Sequence, residues 1–186
     1  IRIDWQNWRV ILVRAFAELA STMLFLTALA QMPLANITAI LQSLPLTVTM
    51  FAAVFFGEAV GWRRWSAILV GFIGVLIIIR PGSDGFNEYA VLALVAVGFI
   101  TLRDAITRRL DRSVPSLFVA FVSAIPIFLF GGAMTVTTGW TPISWSMGMI
   151  VIVAAIAITC GYSFAVMAMR NGDISFVAPF RYTGMI

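Results

Sequence analysis

The sequence predicts an all-α integral membrane protein, a polytopic helix bundle, from three observations. The 186-residue chain is 61% hydrophobic and 11% charged, whereas soluble domains carry about 25% charged residues. Residues 113–169 contain no Asp, Glu, Lys or Arg, a run much longer than one membrane crossing of about 20 residues. The apolar runs lack the two-residue alternation of barrel strands, which leaves helices as the spanning elements.

Seven apolar segments, each bounded by polar residues or by Pro and Gly, predict the spans. They cover residues 9–30, 35–57, 65–79, 89–103, 116–135, 145–169 and an unfinished stretch from 174. Small residues at helical spacing on the third and sixth segments predict close helix packing; they are Ala67, Gly71 and Gly74, and Ala154, Ala157, Gly161, Ala165 and Ala168. Because the chain starts without Met and stops inside an apolar run, we expect a piece of a longer protein.

All twelve basic residues are Arg, and they are distributed unevenly between the loops. The loops on one predicted side carry nine of them, namely Arg2, Arg9, Arg63, Arg64, Arg103, Arg108, Arg109, Arg112 and Arg170, while the opposite loops carry Arg80. The positive-inside rule places the Arg-rich side in the cytoplasm. Topology therefore explains the basic composition, and we expect no nucleic-acid partner. Trp62, Arg63, Arg64 and Trp65 are predicted to be interfacial anchors of the third segment.

An internal repeat is the main indication of function. Residues 31–46, "QMPLANITAILQSLPL", resemble residues 171–186, "NGDISFVAPFRYTGMI", since each is a polar turn followed by a helix with an internal Pro. Five predicted helices separate the two copies, so they have opposite orientations in the membrane. Inverted repeats with Pro-interrupted helices are typical of secondary transporters. The repeat predicts three C-terminal helices of a first unit in residues 1–82 and the N-terminal part of a second in residues 83–186.

The stretch "LTALAQMPLANITAILQSLPLTVTMFAAVFFGEAVGWRRWSAILVGFIGVLIIIRPG", with "RDAITRRL" and "VAPFRY" further on, resembles EamA-type permeases of the drug/metabolite transporter superfamily. Within that superfamily the chain is similar to bacterial S-adenosylmethionine uptake carriers. The resemblance implies a ten-helix inner-membrane carrier of two inverted five-helix repeats, which moves small metabolites by alternating access. It also implies that segment 65–79 lies at the periphery of the bundle.

Ionisable groups inside a membrane usually face a cavity or a partner, which makes Glu18 the first candidate site residue. Its role is predicted to be substrate or proton coupling, or alternatively a structural ion pair with Arg14, four residues away on the same helix face. Arg14 itself, nearer the interface, is interpreted as a snorkelling anchor. Asp104, Arg103 and Arg108 are expected to form a cytoplasmic charge cluster, from which Arg103 could reach the cavity.

Further polar residues inside the apolar segments are candidates for the wall of a substrate cavity. Thr38, Gln42, Pro45 and Thr49 follow one helical stripe, with helix-to-helix hydrogen bonding as the alternative role of Gln42. Tyr162, Arg181 and Tyr182 are the candidates in the second half, and Tyr182 aligns with Gln42 in the repeat. Asn36 is interpreted as a helix N-cap.

Three classes of function compete on these observations. A secondary transporter of a small polar or amphipathic metabolite, such as an amino acid, an amine or an S-adenosylmethionine-like compound, explains the repeat and the sparse polar groups. An integral-membrane enzyme would need a metal or an acid-base group cluster, yet the chain has no His and one Cys. A scaffold is the third class. We expect no metal and no cofactor; the partners are a small-molecule substrate and the lipid bilayer, and a homodimer is left open.

Overall fold

The chain folds into seven α-helices in a computed structural model that describes residues 4–79, 88–111, 113–140 and 142–171. The helices are α1 (Trp5–Gln31), α2 (Leu34–Leu41), α3 (Leu44–Phe56), α4 (Trp62–Ile79), α5 (Glu88–Thr107), α6 (Ser116–Thr138) and α7 (Trp145–Asn171). The first six predicted segments are therefore helical. The seventh, from residue 174, lies outside the described residues.

Five stretches among the described residues are long and apolar enough to cross a membrane. They are Trp5–Gln31, Leu34–Phe56, Glu88–Thr107, Ser116–Thr138 and Trp145–Ala168. The prediction of a polytopic helix bundle is thus confirmed at this level. The segment predicted over residues 65–79 is present as α4, but it is not one of these five.

The segment predicted as one helix over residues 35–57 is broken between α2 and α3. Pro45 lies in the first turn of α3 and has no backbone N–H to continue the helical ladder. At the break, the Ser43 hydroxyl donates to the carbonyl oxygen of Ile40 at 2.7 Å. The backbone N–H of Gln42 ends α2 by donating to carbonyl oxygens one turn back. The chain thereby satisfies its backbone locally, as a membrane interior requires.

The N-termini of α1 and α2 are capped differently. Asp4 caps α1, its carboxylate accepting from the Trp5 amide at 2.8 Å, so this helix begins four residues before its predicted start. Pro33 occupies the cap position of α2, where no side chain makes a capping bond. Asn36 lies inside the first turn, so its interpretation as the N-cap is wrong.

α1 and α5 pack against each other at the centre of the bundle, with α2 and α3 against α5 and with α6 against α1. Small side chains make this central contact close; the buried ones are Ala15, Ala17 and Ala28 of α1 and Ala90, Ala93, Ala96 and Ala105 of α5. In lipid, helices associate through such close packing. The lipid tails are as apolar as the side chains, so there is no hydrophobic driving force between helices. This contact was not among the small-residue stripes predicted from the sequence.

The small residues predicted on the third and sixth segments differ in how closely they pack. A Cβ added at Gly71 would lie 2.1 Å from Cδ1 of Leu46 on α3, so this glycine does permit a close approach. Ala67 is exposed, and a Cβ at Gly74 would meet nothing within 4 Å. The α7 stripe is almost entirely exposed, so the expectation that it packs closely is wrong for the described part of the chain.

Several chain segments that the Arg distribution assigned to one side do meet at one end of the bundle. The Asp111 amide donates to the Asn7 side chain at 3.2 Å, joining the α5–α6 connection to the start of α1. Arg108 pairs with Glu58, which follows the left-handed Gly57 (φ 66°) at the end of α3. This is the Arg-rich end of the molecule.

Candidate functional site

A buried group of polar side chains joins α1, α5, α6 and α7. At its centre is Arg14 of α1, which is 1% exposed. Its Nε donates to the Thr107 hydroxyl at 2.8 Å, its Nη1 to the Ser123 hydroxyl at 2.5 Å and its Nη2 to the Tyr162 hydroxyl at 2.7 Å. One guanidinium thus holds hydroxyl groups from three other helices.

Glu18 lies one turn further along α1, on the same face, and connects to the same group. Its Oε1 accepts from Arg103 Nη1 at 2.8 Å, and its Oε2 accepts from the Tyr162 hydroxyl at 2.5 Å. The distance from Oε2 to Nη1 of Arg14 is 3.7 Å, longer than a good hydrogen bond. The strongest partners of Glu18 therefore come from α5 and α7 instead of its own helix.

Arg103 is shared between Glu18 and its sequence neighbour Asp104. Its Nε and Nη2 contact Asp104 Oδ1 at 2.9 Å and 2.8 Å, and Asp104 is buried. Two guanidinium groups and two carboxylates therefore balance within one cluster. We call these four residues, with Thr107, Ser123 and Tyr162, the Glu18 cluster. A buried charge is tolerated where it is paired and hydrogen-bonded in this way.

The arrangement corrects three interpretations of the sequence. Arg14 is not a snorkelling anchor, because it is buried and donates to three hydroxyl groups. The Arg14–Glu18 pair within α1 is the weaker contact of Glu18. Arg103 and Asp104 of the expected cytoplasmic charge cluster lie in the buried Glu18 cluster, as the alternative had it for Arg103, and Arg108 pairs with Glu58.

A cavity of about 460 Å³ lies beside the Glu18 cluster, between α1, α6 and α7. Glu18, Ser123 and Tyr162 of the cluster line it, together with Thr22 and Thr159. The remaining lining is apolar and comes mostly from α6 and α7; it includes Leu117, Phe121, Ile127 and Ile158. This volume lies within the range of about 300–1,000 Å³ found for small-molecule sites.

The candidate cavity residues predicted from the sequence do not all lie at the Glu18 cluster. Glu18 and Tyr162, predicted independently, are brought into direct contact. Thr38 is exposed and donates to carbonyl oxygens of its own helix, and Gln42 is half-buried at the α2–α3 break; neither lines the cavity beside Glu18. Arg181 and Tyr182 lie outside the described residues.

The predicted anchors lie at the start of α4. Trp62 is 76% exposed and Trp65 is 39% exposed, and the Arg63 guanidinium lies 5.7 Å from the centre of the Trp62 ring. Their interfacial role stays a prediction.

Thr107 and Ser123 were not predicted from the sequence; Ser123 lies inside the fifth predicted segment, and Thr107 lies four residues beyond the end of the fourth. Each hydroxyl also donates to a carbonyl oxygen of its own helix, Thr107 to Arg103 at 2.7 Å and Ser123 to Val119 at 2.9 Å. Ser and Thr commonly bond in this way inside membrane helices. The residue types therefore gave no signal that separated these two from the other hydroxyl residues.

The sequence was compared with protein families and with known proteins. Residues 1–80 match the EamA-like transporter family. The resemblance to EamA-type permeases is confirmed. With five stretches among the described residues long and apolar enough to cross a membrane, the chain is a multi-pass integral membrane protein of the bacterial inner membrane.

Curated relatives of the chain carry transporter names. A riboflavin transporter of Vibrio cholerae is 29% identical over 182 residues, which is 97% of this chain and 60% of that protein. An S-adenosylmethionine uptake transporter of Rickettsia conorii is 26% identical over 155 residues, 83% of this chain and 52% of the relative. A pseudopaline exporter of Pseudomonas aeruginosa is 24% identical over 192 residues, 100% of this chain and 66% of the relative. The chain thus spans about half to two thirds of the length of these relatives, and no solved structure matches it significantly.

Proposed function

We propose that the intact protein is a secondary transporter that moves a small polar or amphipathic metabolite across the bacterial inner membrane by alternating access. The observation that carries the proposal is the Glu18 cluster, a set of buried charges that opens on a small-molecule-sized cavity. Intramembrane ionisable residues are costly, and they are found mainly on substrate and ion pathways. The names of the relatives support transport of this class.

The architecture proposed for the intact protein is two inverted five-helix repeats. Residues 1–82 supply the last three helices of the first repeat and residues 83–186 the first part of the second. This division supports alternating access because the bonds of the Glu18 cluster cross it: Glu18 lies before the boundary, while Arg103 and Tyr162 lie after it. A relative movement of the two repeats would have to break or exchange those bonds.

Glu18 is proposed as the coupling residue. A proton or a ligand cation on its carboxylate would remove the charge that Arg103 and the Tyr162 hydroxyl contact. Both contacts come from other helices, so the change on Glu18 would be transmitted to α5 and α7. Charge-dependent contacts of this kind are what a two-state carrier requires, because a ligand shifts an equilibrium only by interacting differently with the two states.

The test is counterflow by the full-length protein in proteoliposomes, using labelled amino acids, amines, S-adenosylmethionine and riboflavin. We expect one compound to be exchanged and Glu18→Gln to reduce its rate by about tenfold or more, as for loss of a charge-assisted contact. Glu88→Gln, which removes an exposed carboxylate at the start of α5, is the matched control and should leave the rate unchanged. A scaffold or an enzyme would show no counterflow with any compound.

A further inference from the structure

The polar groups of the cavity beside Glu18 have an unusual composition. Among the described lining residues they are one carboxylate and four hydroxyl groups, from Glu18, Thr22, Ser123, Thr159 and Tyr162. A hydroxyl group has one proton to donate and two lone pairs to accept with. The position of each proton therefore decides what the cavity offers a ligand.

The protein itself uses all four of these protons. Every partner is an oxygen without a proton, either a backbone carbonyl or the Glu18 carboxylate, so each hydroxyl must be the donor. The bonds are Thr22 to the Glu18 carbonyl at 2.8 Å, Ser123 to the Val119 carbonyl at 2.9 Å, Thr159 to the Ala155 carbonyl at 2.7 Å and Tyr162 to Glu18 Oε2 at 2.5 Å. What remains toward the cavity is lone pairs.

Arg14 fixes two of these orientations. A guanidinium can only donate, so its bonds to Ser123 and Tyr162 occupy one lone pair on each hydroxyl oxygen. The hydroxyl protons must then point elsewhere, which for Tyr162 is the Glu18 carboxylate. Arg14 itself does not line the cavity, and it therefore acts as a positioning residue.

We infer that this acceptor-only lining selects a ligand that donates hydrogen bonds, an amine carried on an apolar body, and disfavours a carboxylate at the same position. The ammonium group would contact Glu18 and the lone pairs of the neighbouring hydroxyl oxygens. The apolar body would lie against Leu117, Phe121 and Ile158. A carboxylate placed there would face the Glu18 charge without a donor, a repulsion that costs most where water is scarce. The inference deepens the proposed function, on which its role in transport rests.

The experiment measures equilibrium binding, apart from transport, to the full-length protein in lipid nanodiscs by isothermal titration calorimetry. The probes are phenethylamine and hydrocinnamate, which share an aromatic body and differ in the polar group. We expect phenethylamine to bind about tenfold tighter or better. Glu18→Gln should reduce this ratio strongly, because the amide adds a donor and removes the charge.

Thr159→Val supplies a second test that leaves the buried charges intact. It removes one acceptor from the lining and should weaken phenethylamine binding by about threefold to tenfold, the usual range for one hydrogen bond. The matched control is Thr135→Val, because the Thr135 hydroxyl also donates within its own helix, at 2.9 Å to Gly131, but is exposed away from the cavity. It should leave binding unchanged.

Equal binding of the two probes, a preference for hydrocinnamate, or no binding of phenethylamine would overturn the inference. An unchanged affinity in both Glu18→Gln and Thr159→Val would overturn it as well, since the probe would then bind elsewhere. Selective amine binding without counterflow in proteoliposomes would leave the acceptor-only lining standing and remove the transport proposal. The two failures are therefore distinguishable.

Discussion

α5 and α7 are attached to α1 by different kinds of contact. Along α5 the bonds of Arg103 and Thr107 to α1 are accompanied by close packing of small side chains. Ala15 and Ala28 of α1 and Ala93 and Ala96 of α5 are among the buried ones. α7 exposes most of its apolar side chains, and the Tyr162 hydroxyl connects it to Arg14 and Glu18. Close packing fixes a helix in one position, whereas hydrogen bonds to charged groups can be exchanged for bonds to a ligand or a proton. The difference indicates that the α1–α5 contact is rigid and that the attachment of α7 can change when a ligand or a proton binds.

The strongest test of this comparison is Arg14→Met, which keeps the length of the side chain and removes its donors. It removes three hydrogen bonds to buried hydroxyl groups and leaves two buried carboxylates facing one guanidinium. Loss of one member of a buried ionic group typically costs about 3–5 kcal/mol. We expect unfolding of the full-length protein in detergent to become easier by this amount. A spin label on Cys160, the single cysteine of residues 1–186 and exposed on α7, should become more mobile.

The matched control for Arg14→Met is Arg9→Met, because Arg9 is exposed on the same helix. It should change neither the stability nor the mobility of the label. If Arg14→Met left the label as immobile as in the unchanged protein, the polar attachment of α7 would be refuted.

A smaller effect is expected from Tyr162→Phe, which retains the ring beside Arg14, 5.3 Å from the guanidinium carbon to the ring centre. The variant loses the hydroxyl that bridges Arg14 and Glu18, and we expect a loss of about 2 kcal/mol, as for a hydrogen bond to a charged group. The same unfolding measurement checks it. Thr159→Val, which removes a hydroxyl bonded within α7, should cost clearly less; equal losses would show that the bridge contributes nothing of its own.

Gly71 tests the close-packed side of the comparison. Gly71→Ala places a methyl group against Leu46, whereas Gly74→Ala on the same helix places one in open space. Both gain helix propensity, so their difference isolates the packing, and we expect Gly71→Ala to be less stable than Gly74→Ala by about 1 kcal/mol. Thermal unfolding of the two variants side by side decides it, and identical stabilities would mean that α3 and α4 are not in tight contact there.

The smallest effect concerns the Glu58–Arg108 pair at the Arg-rich end. Both side chains are partly exposed, at 18% and 32%, and pairs of this kind contribute about 0–1 kcal/mol and weaken in salt. A double-mutant cycle with Glu58→Gln and Arg108→Gln should give a coupling within this range that falls as the salt concentration rises. A coupling of several kcal/mol would instead place this pair with the Glu18 cluster.

Much of the bundle was predictable because it depends on local patterns. Apolar length predicted the helices, and the connections after α3 and α5, which the Arg distribution assigned to one side, meet through Glu58 and Arg108. The break at Pro45 was predictable as a perturbation but not as two separate helices, since that outcome depends on whether Ser43 and Gln42 can satisfy the freed backbone. Thr107 and Ser123 could not be chosen from the sequence because many Ser and Thr residues bond to their own helices in the same way.

By itself, the sequence determined that this is a membrane helix bundle, where its helices run and that Glu18 is an exceptional residue, because apolar length and helical periodicity are local properties. The tertiary structure alone decided the partners. Spacing favoured Arg14 as the partner of Glu18, yet the close contacts come from Arg103 and Tyr162, 85 and 144 residues away. Which residues meet across helices depends on how the helices cross and in what register, and that is fixed by packing the whole bundle together.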